Sequence, residues 1–300
     1  MELKPTNQQN ELALQERATE ILLEETKLLA TFLYQKTPNT RKAYESDIKK
    51  FFAFYRGKTL RDITPAHIVV YFKNHPELKE SSKARVKSSL SSLFKFCVRQ
   101  RYLIENPCSF LDPVRVIDQT QFRVLSHEEL VRMIELEPSV RNQILIRLLY
   151  KTGLRVSELC SLKFSNLRKR KNSYFLIVVG KGNKTRTIGL DERSYAELNS
   201  LKESSPNRAI ADSYIFKQKH RNLSLSRVSV WKIVKKAAIR AGLSEKVSPH
   251  WTRHSHATKA LELGEDLRII QHTLGHESIV TTTKYAKVFP GKSSGDKIDI

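Results

Sequence analysis

Cysteine is scarce in this 300-residue sequence. Cys97, Cys108 and Cys160 are odd in number and show no CxxC spacing. That excludes a disulfide framework and a zinc finger, and it fits a reducing compartment. Long apolar runs are missing too. None approaches the roughly 18 residues that a membrane span needs. The opening residues, MELKPTNQQNE, lack the apolar stretch of a secretory signal, so a cytoplasmic protein is expected. No internal repeat or low-complexity tract interrupts the chain. Acidic residues are the other deficit: 31 Asp and Glu face 53 Lys and Arg, for a formal net charge of +22. The isoelectric point is near 9.9. An excess of this size points to a polyanionic partner. A membrane-surface protein would concentrate it on one amphipathic helix, whereas here it is spread along the chain. Nucleic acid is the expected partner.

What is present describes a globular protein, with 40% apolar residues and enough length for two cores. Residues 11–35 and 40–55 carry apolar positions at helical spacing, the second with Thr40 as a candidate N-cap. ITPAHIVVYFKNH places Thr64 as a cap and Pro65 at the first helical position. SSKARVKSSLSSLFKFCVRQRYL is a fourth helix, closed by Asn106-Pro107. Between residues 27 and 118 there are 18 basic and 8 acidic residues, whereas the first 25 residues hold six Glu against Lys4 and Arg17. The first helix therefore faces a partner or solvent, and the next three face the polyanion. Residues 1–107 are assigned to a helical N-terminal DNA-binding domain, 108–123 to a linker and 290–300 to a tail.

The segment 124–289 is assigned to a second domain, mainly helical with a small β-element. It opens on a capping box made by Ser126 and Glu129. A helix at 139–152 stops at Gly153. SYFLIVVGKGNKTRTIGL reads as a β-hairpin with a Gly-rich turn. Helices follow near 191–203, 226–241, 250–263, 265–274 and 278–287, with Gly242, Gly264 and Gly275 where helices end.

Four short stretches carry candidate chemistry, and each alone has an ordinary reading. Arg155 follows the Gly153 stop, and Glu158, three residues on, can face it. Lys181 and Lys184 sit at the hairpin tip, where basic residues usually serve solubility. His250 and Arg253 share a helix face; His254 and His256 read as packing or hydrogen-bonding residues. A metal site is not supported, because no HExxH pattern or nearby cysteine accompanies these histidines. His276 follows Gly275, and Tyr285 lies nine residues further, where a half-buried aromatic would be unremarkable.

Together these groups fit one reaction, the attack of a tyrosine phenolate on a DNA phosphodiester. Two guanidinium groups suit the non-bridging oxygens of a five-coordinate phosphorus, because they offer forked donors and stay charged. A phenol with an ordinary pKa of about 10 needs a base, which histidine supplies near neutral pH. A lysine can protonate the leaving 5′ oxygen. No cluster of acidic residues of the two-metal nuclease kind is offered.

TGLRVSEL, GKGNKTR, HWTRHSHAT and LGHESIVTTTKY occur in the order and at about the spacing seen in the tyrosine recombinase (phage integrase) family. The chain resembles its compact Xer-type branch. The resemblance implies an N-terminal four-helix core-binding domain and a C-terminal catalytic domain that grip DNA from opposite sides. It implies a catalytic set of Arg155, Lys181, His250, Arg253, His276 and the nucleophile Tyr285, with Glu158 in support and neither cofactor nor metal. The implied activity is site-specific recombination through a 3′-phosphotyrosyl intermediate and a Holliday junction. The implied partners are double-stranded DNA sites and three further copies of the chain, with a second recombinase or accessory protein as an addition. The family's tail helix docks on a neighbouring protomer; here the short tail holds Pro290, Gly291 and Gly295, with two isoleucines in its closing KIDI that could dock. Two alternatives to recombination are a type IB topoisomerase-like nicking-closing enzyme and a DNA-binding regulator using residues 265–287 as a helix-turn-helix.

Overall fold

The computed structural model describes residues 7–115, 123–203, 212–218, 223–278 and 282–283. The chain divides into two compact units, Met1–Ile117 and Asp118–Ile300.

The first unit is built from α1 (Asn7–Tyr34), α2 (Pro38–Phe54), α3 (Pro65–Lys73) and α4 (Glu80–Arg99). All four fall on the segments that apolar spacing marked as helical. The start of α2 differs from expectation. Thr37, not Thr40, is the N-cap, and Pro38 takes the first helical position, where its missing N–H costs nothing. Thr40 instead pairs its hydroxyl with that of Thr37 at 2.9 Å. Helix α4 stops earlier than Asn106-Pro107, with Gln100 as its C-cap and Arg101 at positive φ. Phe32, Phe51, Leu90, Leu93 and Phe94 form a dry core with no exposed surface. A 3-10 turn, Pro107–Phe110, follows, and Cys108 is buried in that same core. The acidic first helix is exposed along residues 15–20, but Glu25 turns inward and accepts from the Leu60 N–H and the Tyr102 hydroxyl, both at 2.7 Å.

The second unit begins with α5 (His127–Glu135), and Ser126 and Glu129 form the expected capping box, at 3.1 and 2.8 Å. Helices α6 (Val140–Thr152) and α7 (Val156–Ser161) follow. A three-stranded antiparallel sheet comes next, β1 (Leu167–Arg170), β2 (Ser173–Val179) and β3 (Thr185–Leu190), in that order. The hairpin predicted from sequence is β2–β3; β1 extends it by one edge strand. Leu176 and Val178 on β2 face the core beside Ile188 and Arg186 on β3, their register partners. Between the strands, residues 181–183 turn with Gly182 at φ 71°, a left-handed conformation that glycine tolerates. Helices α8 (Glu192–Glu203), α9 (Arg227–Arg240), α10 (Pro249–Glu262) and α11 (Leu267–Leu274) complete the described unit. α10 packs on α6 and on α11, and α11 also lies against β3. That arrangement brings the ends of α6, α7 and α11 together around the middle of α10. No described helix is long and apolar enough to cross a membrane.

Candidate active site

The site starts where α6 ends. Gly153 closes the helix at φ 59°, and a Cβ there would lie 2.5 Å from Leu274 and 2.8 Å from the His256 ring. Only glycine allows α6 to end this close to α10 and α11. Two residues later Arg155 caps α7, and its backbone N–H donates to Glu158 Oε2 at 2.8 Å. A carboxylate in the first helical turn satisfies an N–H that the helix leaves without a partner.

Arginines converge on this carboxylate. Arg155 Nη1 donates to Glu158 Oε1 at 2.9 Å, and Arg186 grips both oxygens, Nη1 to Oε1 and Nη2 to Oε2, each at 2.9 Å. Glu158 is 3% exposed. Burial is the largest influence and raises its pKa, but the Arg186 and Arg155 hydrogen bonds together hold the carboxyl below its ordinary value. It is a fixed anion at neutral pH.

The end of α11 organises the cluster. Its last carbonyls have no partner within the helix and carry the negative end of the helix dipole. Three arginines from three other elements take three successive ones. Arg186 Nε donates to Thr273 O at 2.8 Å, Arg253 Nη2 to Leu274 O at 2.8 Å, and Arg155 Nη2 to Gly275 O at 3.0 Å. Arg253 also donates from Nη1 to Gly153 O at 2.6 Å, so one buried guanidinium joins the ends of α6 and α11. Gly275 turns the chain at φ 64°, and a Cβ there would come within 2.9 Å of Arg186 Nη1.

Burial, and after it the excess of cations, sets the state of the histidines. His250 lies one turn before Arg253 on α10; burial lowers its pKa most, followed by the charges of Arg253, Arg123 and Arg155. His276 is pushed down to about 4 by burial and then by Arg253, Arg155, Arg186 and His250. Both are neutral imidazoles at neutral pH. His276 Nδ1 pairs with the buried Thr282 hydroxyl at 2.9 Å. His254 and His256 hold the structure together, as the sequence suggested. His254 is buried, with its ring 4.4 Å from that of His250, edge to face, and His256 Nδ1 meets Tyr150 O at 2.9 Å. Among the described residues no group of three His, Cys, Asp or Glu could hold a metal ion.

A cleft of about 690 Å³ opens beside the cluster, lined by Arg155, Gly180, Lys184, Arg186, Gly275 and His276 among others. The structure thus gathers Arg155, Glu158, Arg253 and His276 around the end of α11, with His250 on the adjoining turn of α10. The backbone of Lys181 lies in the hairpin turn next to Gly180; its side chain, and Tyr285 and the tail 290–300 entirely, lie outside the described residues. Sequence reasoning missed Arg186. It stood in the quoted GKGNKTR stretch as one more cation of a basic hairpin. The available signal was its phase: two residues before the apolar Ile188, it falls on the core face of β3.

What this cluster can do chemically is hold an anion with forked donors while keeping two imidazoles free of charge. The phage integrase family matches residues 123–291, and the N-terminal SAM-like domain of phage integrases matches residues 28–101. The tyrosine recombinase XerD of Chlorobaculum tepidum is 32% identical over 87% of this chain and 92% of its own length. XerA of Pyrococcus horikoshii is 34% identical over 84% of each chain. In fold, the chain is similar to XerH bound to a palindromic difH substrate after cleavage, with a TM-score of 0.69, 24% identity, and 82% of this chain and 76% of that one covered. It is similar also to a lambda integrase dimer bound to a COC′ core site, with a TM-score of 0.70, 21% identity, and 92% and 80% covered. The matches lie with recombinases, and none supports a topoisomerase or a DNA-binding regulator. The chain belongs to the phage integrase family of tyrosine recombinases, enzymes that cut and rejoin DNA in site-specific recombination.

Proposed function

We propose that Tyr285 is the nucleophile of this recombinase, and that Arg155, Lys181, His250, Arg253 and His276 act on the scissile phosphate, with Glu158 holding Arg155. The phenol gives its proton to a neutral imidazole, a role that the lowered pKa values of His250 and His276 permit at neutral pH. The phenolate oxygen then bonds to phosphorus while the bond to the 5′ oxygen breaks. Lys181 hands the departing oxygen a proton. The product is a 3′-phosphotyrosyl ester and a free 5′-hydroxyl. A 5′-hydroxyl from a second duplex reverses the exchange, forming one phosphodiester and releasing the phenol. Each step trades one phosphate ester for another, so no ATP is consumed. Arg155 and Arg253 stabilise the charge that gathers on the non-bridging oxygens, an effect worth about 10²–10³ in rate per donor when the donors are fixed beforehand.

The single observation that carries this reading is the run of three carbonyls, Thr273, Leu274 and Gly275, each occupied by a different guanidinium. Such a cluster concentrates positive charge within one turn of His276, which stands nine residues before Tyr285. The partners proposed are double-stranded recombination sites in the cytoplasm and further copies of the chain. The relatives described in complex with their DNA sites, one as a dimer, support this. Four protomers on two duplexes pass through a Holliday junction, residues 1–107 bind DNA, residues 124–289 carry the chemistry, and the tail 290–300 touches a neighbour. A second recombinase or an accessory protein completes the set where the site requires one. The test uses a nicked duplex that loses its 5′-hydroxyl on cleavage and so traps the ester. Wild type accumulates a covalent complex, whereas Tyr285→Phe binds the duplex and traps none. Undiminished trapping by Tyr285→Phe overturns the assignment.

A further inference from the structure

We propose that Arg186 is a positioning residue for strand cleavage, acting on the phosphate through Arg155. The inference rests on the catalytic reading of Arg155 given above. Arg155 is not held by packing, since its side chain is 35% exposed. Its side-chain hydrogen bonds run to Glu158 Oε1 and to Gly275 O. Arg186 fixes both of those supports. It grips the Glu158 carboxylate with two nitrogens and lies beneath Gly275, where it fills the space of a Cβ. Its third donor, Nε, ties it to Thr273 O on the last turn of α11. With 8% of its side chain exposed, Arg186 lies behind the cation that meets the phosphate.

The position also matters for the hairpin. Arg186 pairs in register with Val178, and a Cβ on Gly180 would sit 3.4 Å from its Nη1 and 3.5 Å from Glu158 Oε1. One guanidinium therefore joins β3, the start of the turn that carries Lys181, the first turn of α7 and the last turn of α11. A mere counter-ion for Glu158 would need only one charge. The fork, the Nε bond and the close fit under Gly275 are features that lysine cannot supply.

The test measures single-turnover covalent trapping at saturating protein. Arg186→Met is expected to cleave about 10–100-fold more slowly, the scale of a modest misplacement of a catalytic group. Arg186→Lys, which keeps the charge and guards against a folding failure, is expected to fall between it and wild type. Site binding should stay within about threefold, because other phosphate contacts supply most of the affinity. A second substrate carries a neutral methyl group in place of one charged non-bridging oxygen at the scissile phosphate. On it the defects of Arg155→Ala and Arg186→Met should shrink together. The double variant Glu158→Gln, Arg186→Met, whose buried pair is neutral, should remain as slow as Arg186→Met. The proposal is overturned if Arg186→Met cleaves at the wild-type rate. It is overturned too if the Arg186→Met defect persists on the neutral substrate while that of Arg155→Ala shrinks, or if the double variant regains the wild-type rate. Wild-type cleavage by Arg155→Ala itself would instead remove the reading on which the proposal stands.

Discussion

The two units of this recombinase bury polar groups to different extents. In the first, the described buried polar residues are Asp47 and Ser89, set in a core of Phe32, Phe51, Phe94 and aliphatic neighbours. The second buries Glu137, Glu158, Arg186, Arg253, His254 and several hydroxyls besides its apolar core. Burying a charge is costly unless it is paired and hydrogen-bonded. The second unit meets that condition at two places: Glu137 pairs with Arg240, and around α11 one carboxylate, Glu158, and a set of helix-end carbonyls hold the arginines. A surface that attracts phosphates needs only solvated lysines and arginines. A site that must hold guanidinium groups still, at defined positions and away from water, needs buried acceptors.

Mutations in the two units should have separable effects. The largest effect belongs to Arg155→Ala and Arg253→Ala, each expected to slow covalent trapping by about 10²–10³. Both should leave site binding nearly intact in a gel-shift titration; wild-type rates from either would remove that arginine from the site. Gly275→Ala comes next. It forces a side chain into a left-handed backbone and toward Arg186, so a loss of about 1–3 kcal/mol in denaturant stability is expected. About tenfold slower cleavage should accompany it, as the arginines shift. The matching experiment in the first unit is Arg85→Met, which leaves the buried Asp47 carboxylate without its ion pair. Stability should drop by about 1–3 kcal/mol, with no change in the cleavage rate of the folded, DNA-bound protein. A large rate defect there would erase the distinction between the units.

Smaller effects follow from protonation. His276 titrates near 4 in the folded protein, against about 6.5 for an ordinary histidine. The unfolded chain therefore takes up this proton first as pH falls. Stability from this source is fully present above about 6.5 and is lost on acidification toward about 4. His256, also near 4, adds in the same direction. The melting temperature should thus fall between those pH values, and His276→Trp should lose part of that slope. A wild-type midpoint that rises on acidification contradicts the assignment. The smallest expected effect is that of EDTA, which should leave trapping unchanged, since side-chain cations carry the chemistry.

Much of this was legible in the sequence because it follows from local periodicity and stop signals. The four helices of the first unit, the Ser126 capping box and the Gly153 and Gly275 stops all depend on residues within a few positions of each other. The start of α2 was misjudged because Thr40 looked like a cap, although Pro38 already marked the first turn. Strand β1, LRKR, escaped because an exposed edge strand need not alternate apolar with polar residues. Arg155, Glu158, Arg253 and His276 stand out as candidates through their chemical types and order. What holds them was not legible, because backbone carbonyls have no letter. Thr273, Leu274 and Gly275 act through their C=O groups, and only the fold aims Arg186, Arg253 and Arg155 at them.

The role proposed for this arginine cluster is to serve a phosphate attacked by Tyr285. Its most direct test is to trap the protein on a nicked duplex, digest both components and identify the peptide that keeps a nucleotide. A single peptide containing Tyr285 is expected, with the phenol esterified to a 3′-phosphate. A nucleotide on any other residue, or none from a duplex that the protein binds and cleaves, would contradict it.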